Sequence, residues 1–172
     1  MLPGIDGYQL IREIKADNPL APVIFISARD EDIDRIVGLE MGSDDYLAKP
    51  FIPKELVIRC RRLLERTYRD HWVQPAAKTL NFPPYLIDEG KRQVSKAGLK
   101  FELTSKEFDL LVFLARHQGQ PLSREQVLAG VWGADYFGSD RVVDDLIRRL
   151  RKRLPELSLE TIYGYGYRLV TE

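Results

Sequence analysis

The stretch DRVVDDLIRRLRKRL, residues 140–154, decides how this chain is read. Its apolar residues Val143, Ile147, Leu150 and Leu154 recur at i, i+4, i+7 and i+11, which is one face of a helix. At about 100° per residue, Arg141, Arg148 and Lys152 project from the opposite face, with Arg149 and Arg151 on its shoulders. One side is suited to a core and the other offers forked donors, as a helix entering a DNA groove requires. Asp145 lies within the basic face, where it either accepts from a cytosine amine or orients Arg148 and Arg149 as an i+3 and i+4 partner. A solvated helix whose arginines face water would carry the same charges, so the flanking sequence has to separate the two.

Working outward, Thr104-Ser-Lys-Glu107 is a capping box that opens a helix using Phe108, Leu111, Val112 and Ala115. Ser123-Arg-Glu-Gln126 repeats the device before Val127, Leu128 and Val131. Pro155 stops the basic helix; Glu160–Tyr163, a Gly164-Tyr-Gly166 turn and Tyr167–Val170 then read as a hairpin. Strand alternation puts Tyr163, Tyr165 and Tyr167 on one face, so at least one of them packs in the core. Strand-like pieces near Tyr85–Asp88, Arg92–Lys96 and Lys100–Leu103, with Gly90 and Gly98 at turns, precede the helices. Residues 85–172 are therefore expected to form an α+β winged helix-turn-helix domain, a context that favours DNA over solvent for the basic face.

The first part of the chain has a different rhythm. Ile5–Ala16 predicts a helix with Leu10, Ile11 and Ile14 inward, stopped by Asn18-Pro19. Val23–Ile26 is a continuous apolar run, the mark of a strand buried on both faces. Asp30 can cap a helix through Ile33, Ile36, Val37 and Glu40 that Gly42 ends, and Tyr46-Leu47-Ala48 is a second strand. Pro53 suits the first turn of a helix through Leu56, Val57, Cys60, Leu63 and Leu64. The alternation predicts an α/β layer over residues 1–66, with two parallel strands and three helices. Over 67–84 the pattern lapses around Pro75, Pro83 and Pro84, which predicts a linker. The opening MLPGIDG reads as the way out of a strand, through a turn and into a helix, so further sequence is expected upstream of Met1.

Composition narrows the class. The chain is 44% apolar and 30% charged, as ordinary globular proteins are. No run approaches the roughly 20 apolar residues needed to span a bilayer, and no signal-peptide pattern opens the chain, so no membrane partner is expected. Cys60 alone excludes an internal disulfide, and His71 and His117 lack the Cys partners of a structural zinc site. Net charge is zero, but residues 140–153 carry six basic side chains against three acidic ones, a local stripe on a neutral chain.

These residues resemble a known family. Ser27-Ala28 and Gly42-Ser-Asp-Asp-Tyr-Leu-Ala-Lys-Pro-Phe51 resemble the second half of a flavodoxin-like two-component receiver domain. Leu103–Leu111, Asp140–Arg151 and Tyr163–Arg168 resemble the effector domain of OmpR/PhoB-type response regulators. The resemblance implies a cytoplasmic, sequence-specific DNA-binding transcriptional regulator of a two-component phosphorelay rather than an enzyme. A sensor histidine kinase would phosphorylate a receiver aspartate in a Mg²⁺-dependent reaction. Lys49 would then pair with the phosphoryl group, the Ser27 hydroxyl would bind its oxygen, Tyr46 would turn inward, and Lys49-Pro50 would be cis. The family's phosphoacceptor falls two residues before the position of Met1, and its acidic pair falls earlier still. This chain is therefore expected to bind no cofactor itself, keeping only the Met1 backbone carbonyl of the Mg²⁺ ligands.

The resemblance also implies a homodimer through the face 32–66. Its pairs would be Arg35 with Glu55, Asp45 with Arg59, Glu40 with Arg61 and Asp44 with Arg66, around Ile36, Leu39 and Val57. Two effector domains would then sit on tandem half-sites of double-stranded DNA. Contacts would come from Arg141, Arg148, Arg149 and Arg151, and from a wing at Tyr165 and Arg168. Leu146 stands where many relatives carry a DNA-contacting His, and Gly133–Ser139 would face RNA polymerase. Two other functions compete. A dimerisation fragment could modulate a full-length regulator, and a phosphatase of the haloacid dehalogenase type would need an upstream nucleophilic aspartate.

Overall fold

Helix α1 (Gly7–Asp17) starts where the Asp6 carboxylate accepts the Tyr8 N–H at 3.4 Å, and ends where the Asn18 N–H reaches Ile14 O at 2.8 Å. Strands β1 (Ile24–Ser27) and β2 (Asp45–Ala48) pair in parallel, with Ser27 opposite Ala48. Helix α2 (Pro53–Trp72) begins on its proline. The computed structural model describes residues 6–28, 42–72, 79–133, 136 and 139–170, though not the side chains of 66 and 68–72. The chain divides into two units, Met1–Val73 and Gln74–Glu172.

Ile11, Leu47 and Leu63 form the buried centre of the first unit. Beside them the rings of Tyr8, Phe25 and Tyr46 stack in series, with centroids 5.0 and 5.9 Å apart. Two expectations fail here. Leu10 and Ile14 are exposed, and the β1 residues are half-buried rather than enclosed. Among the described residues β1 pairs with β2 alone, so its continuous apolar run overstates its burial. Lys15 turns inward instead: its Nζ donates to Ala21 O at 2.6 Å and to the Asp44 carboxylate at 3.1 Å. The helix expected from Asp30 to Glu40 lies outside the described residues.

The expected linker over 67–84 is also corrected. Helix α2 runs on to Trp72, because no helix breaker precedes Pro75. Thr79–Phe82 is strand β3, with Leu80 and Phe82 turned inward, and Pro83-Pro84 makes its turn into β4 (Tyr85–Asp88). The Lys49-Pro50 and Pro83-Pro84 peptide bonds are both cis. With β5 (Gln93–Lys96) and β6 (Leu99–Phe101) these strands form an antiparallel sheet in chain order. Arg92, at φ 48°, ties the sheet to the helices, its guanidinium donating to Ser105 O at 3.0 Å and to Asp109 at 2.8 Å.

Three helices follow: α3 (Ser105–Arg116), α4 (Arg124–Trp132) and α5 (Arg141–Arg153). Both capping boxes form as expected. The Thr104 N–H reaches Glu107 at 2.9 Å, the Ser123 N–H reaches Gln126 at 2.8 Å, and each hydroxyl accepts in return. Leu110, Leu111 and Leu114 carry the inner face of α3, while Val112 and Ala115 are only half-buried. A two-residue strand, β7 (Leu122–Ser123), joins the hairpin of β8 (Leu159–Ile162) and β9 (Gly166–Leu169) in the order β7-β9-β8. The pairing is close: a Cβ on Gly166 would lie 2.1 Å from Leu122 O. This unit is a winged helix-turn-helix with β8–β9 as its wing.

Candidate functional site

Burial divides α5 into two sides. Val143, Ile147, Leu150 and Leu154 are buried as the spacing requires, and Val142 and Leu146 extend that side. Leu146 is 0% exposed, so it is a core residue and its position offers no contact to a ligand. Arg141, Arg148 and Lys152 lie on the exposed side, with the Arg148 side chain 63% exposed.

The shoulder residues are more deeply engaged than their spacing suggests. Arg149 is largely buried, its Nε 3.2 Å from Asp145. Arg151 donates to Leu159 O at 2.7 Å and to the Thr161 hydroxyl at 2.9 Å, both on β8. Its guanidinium also lies 5.8 Å from the Tyr167 ring centre. Arg151 is thus committed to the wing strand rather than presented to solvent. Asp145 takes Arg148 at 2.5 Å on one oxygen and Arg149 on the other, which is the orienting arrangement of its two readings. On the wing, Tyr163 is 94% exposed and Tyr165 is exposed, whereas Tyr167 is buried; the first two leave the strand face because they belong to the turn. Arg168 donates through Nε and Nη2 to Glu160, opposite it on β8, at 3.0 and 2.6 Å.

Sequence reading misses one polar cluster. The Asp144 carboxylate accepts from Arg124 Nε at 2.8 Å and from the Tyr167 hydroxyl at 2.6 Å, joining α4, α5 and β9. Arg124 also lies 5.5 Å from the Tyr167 ring centre. The three residues are far apart in sequence, and Asp144 reads locally as one more charge beside Asp145. Burial first, and then donation to the Asp144 carboxylate, push the Tyr167 phenol up to about 12 from 10.0. The unfolded phenol ionises near pH 10, so this contribution to stability is complete below about pH 10 and lost as pH rises through 12. Absorbance titration is expected to show one tyrosine ionising last, and Tyr167→Phe to remove that step.

In the first unit, Ser27 and Lys49 meet at the carboxyl ends of the parallel strands, where open α/β sheets bind ligands. The Lys49 N–H donates to Ser27 O at 2.7 Å, and the Lys49 side chain is exposed. Tyr46 is buried, its ring stacked on Phe25. Met1, Arg35, Ile36, Leu39, Glu40 and the Arg66 side chain lie outside the described residues. Among the described residues no three His, Cys, Asp or Glu side chains gather to hold a metal ion.

One of the expected dimer pairs is removed, and the residues of another meet within the chain. Asp44 is 0% exposed and held by Lys15 and the Val23 N–H, so burial removes it from any surface pair with Arg66. Arg59 forks within its own chain, reaching Asp45 at 2.9 Å and Glu55 at 2.7 Å. Val57 and Arg61 remain exposed on α2, with Ile58 and Leu64 also exposed on that helix.

Residues 1–61 match the response regulator receiver domain family, and residues 98–169 match the transcriptional regulatory protein C-terminal family. The chain is 56% identical to the transcriptional regulatory protein CssR of Bacillus subtilis (strain 168), over 99% of this chain and 76% of that protein. Among solved structures, the Thermotoga maritima response regulator DrrB, an OmpR/PhoB homolog, is 34% identical with a TM-score of 0.50, over 99% of this chain and 76% of that one. A mutant of RitR at 21% identity shares the fold, with a TM-score of 0.73 over 99% of this chain and 75% of that one.

Proposed function

The chain belongs to the OmpR/PhoB-type response regulators, DNA-binding transcriptional regulators of two-component systems, and on that premise we propose that α5 enters the major groove while the β8–β9 wing reaches a neighbouring groove. The single observation that carries this reading is the division of α5: one side is buried without gaps while Arg148 stands 63% exposed on the other. Arg148 is the base-reading donor, and Arg141 and Lys152 take phosphates. Arg149 and Arg151 work from beneath, the first through Asp145 and the second by holding β8. Tyr165 and Arg168, with Tyr163, form the wing's contact edge.

Homodimerisation through the α2 face places two such units on tandem half-sites. It is supported by the exposed Val57, Ile58 and Leu64, an apolar patch beside the exposed Arg61. RNA polymerase meets the segment Gly133–Ser139, of which 134, 135, 137 and 138 lie outside the described residues. The receiver-type unit answers to a sensor histidine kinase in the cytoplasm, with Ser27 and Lys49 as the groups that greet a phosphoryl oxygen. A mixed dimer with a longer regulator would use the same α2 face, and DNA binding separates the two functions.

The test is selection of duplexes from a random pool by the whole chain, followed by gel shift of the selected site. Arg148→Ala is expected to weaken that site about tenfold or more, the cost of one lost bidentate base contact, without lowering the melting temperature. Failure to retain any duplex at low salt would overturn the reading.

A further inference from the structure

The exposed cations proposed to face DNA do not stand alone on their surface. Arg168 is held by Glu160 across the wing strands at 2.6 Å, and Arg148 by Asp145 one turn back on α5 at 2.5 Å. The two carboxylates differ in depth: the Glu160 side chain is half exposed, whereas Asp145 is largely buried beneath the basic face, with one oxygen on the exposed Arg148 and the other on Arg149. Buried elsewhere, such pairs would only hold the fold together. Placed inside a surface meant for a polyanion, they oppose the first thing that surface does.

Non-specific DNA binding is driven by cations that exchange condensed counterions for phosphate. An arginine already neutralised by its own carboxylate releases fewer counterions, and the carboxylate repels the phosphate that arrives. The same carboxylate restricts where the guanidinium points. A base edge that meets the arginine in its held direction loses nothing, whereas a phosphate elsewhere must pull the arginine off its partner.

We propose that Glu160 and Asp145 are specificity-determining residues, carboxylates within the DNA-facing surface that make Arg168 and Arg148 poor ligands for generic phosphate while leaving them aimed for the chosen site. This rests on the reading of α5 and the wing as the DNA interface. It differs from an orienting role alone, because an orienting carboxylate affects only the specific complex. A counter-charge also weakens binding to every other sequence. Net charge of zero fits this device, since discrimination then comes from the local arrangement of charge.

The experiment measures affinity of the whole chain for its selected site and for a random duplex of equal length, across a salt series, in the wild type, Glu160→Gln and Asp145→Asn. Binding of the wild type to the selected site tests the DNA-interface reading by itself. Each variant is expected to bind random DNA several-fold more tightly at low salt. The slope of log affinity against log salt should steepen by about one per variant, and the ratio of specific to random affinity should fall about tenfold. Glu160→Asp is expected to restore most of the discrimination by returning the charge. Random-DNA affinity and salt slope unchanged in both amide variants, with wild-type site binding intact, would overturn the proposal. Glu160 is exposed on a two-stranded wing, so a folding defect does not mask its result.

Discussion

Asp144→Ala is expected to weaken DNA binding by about a hundredfold, a larger loss than removal of any exposed arginine. The carboxylate is the shared acceptor for Arg124 at 2.8 Å and the buried Tyr167 hydroxyl at 2.6 Å, so its loss undoes two bonds on three elements. A buried hydroxyl left without its acceptor costs about 1–3 kcal/mol, and a charge-assisted bond to arginine adds to that. The wing then loses its side-chain tie to the N-terminal turn of α5, and the two groove contacts no longer form as one rigid unit. Asp144→Asn keeps an acceptor for Tyr167 and is expected to lose much less. Dissociation constants for the selected site, with amide exchange of β9, check this. Undiminished affinity in Asp144→Ala would show that the wing holds its position without the cluster.

The second large effect lies in the receiver-type unit. Lys15→Ala is expected to destabilise that unit by about 3–5 kcal/mol, because it leaves the Asp44 carboxylate buried without its cation. Asp44 also receives the Val23 N–H at 2.9 Å, at the entry to β1, so the strand's start shares the damage. Lys15→Met with Asp44→Leu removes both charges and is expected to recover most of the loss. Urea unfolding followed by fluorescence at unit-specific probes should show the Gln74–Glu172 unit unaffected. A loss below about 1 kcal/mol for Lys15→Ala would mean that water reaches Asp44 freely.

Local signals in the sequence survive into the structure and distributed ones do not. The capping boxes at Thr104 and Ser123 and the buried row on α5 are written within a few residues, and each forms as spaced. The candidate DNA-facing side of α5 was legible for the same reason. Arg149 and Arg151 were not legible as internal braces, since their partners on Asp145 and β8 are set by packing that helical projection omits. Asp44 read as a surface acid because its cation, Lys15, is 29 residues away on another element. Strand β3 was hidden because proline density over Pro75–Pro84 outweighed a four-residue alternation, while two of those prolines merely turn the hairpin. β7 is too short for any periodicity to register.

The contact at Gly166 sets a boundary for anyone wishing to retune this regulator. Directed evolution of the wing would naturally randomise codons 163–168 together. At 166 nearly every such codon encodes a side chain that collides with Leu122 O, so most clones would be discarded for misfolding before selection on DNA began. Positions 163 and 165 meet no such constraint, since Tyr163 and Tyr165 are both exposed. A library that fixes Gly164, at φ 72°, Gly166 and the buried Tyr167 and varies 163 and 165 spends its diversity on operator preference, and the wing can change what it reads without changing how it is attached.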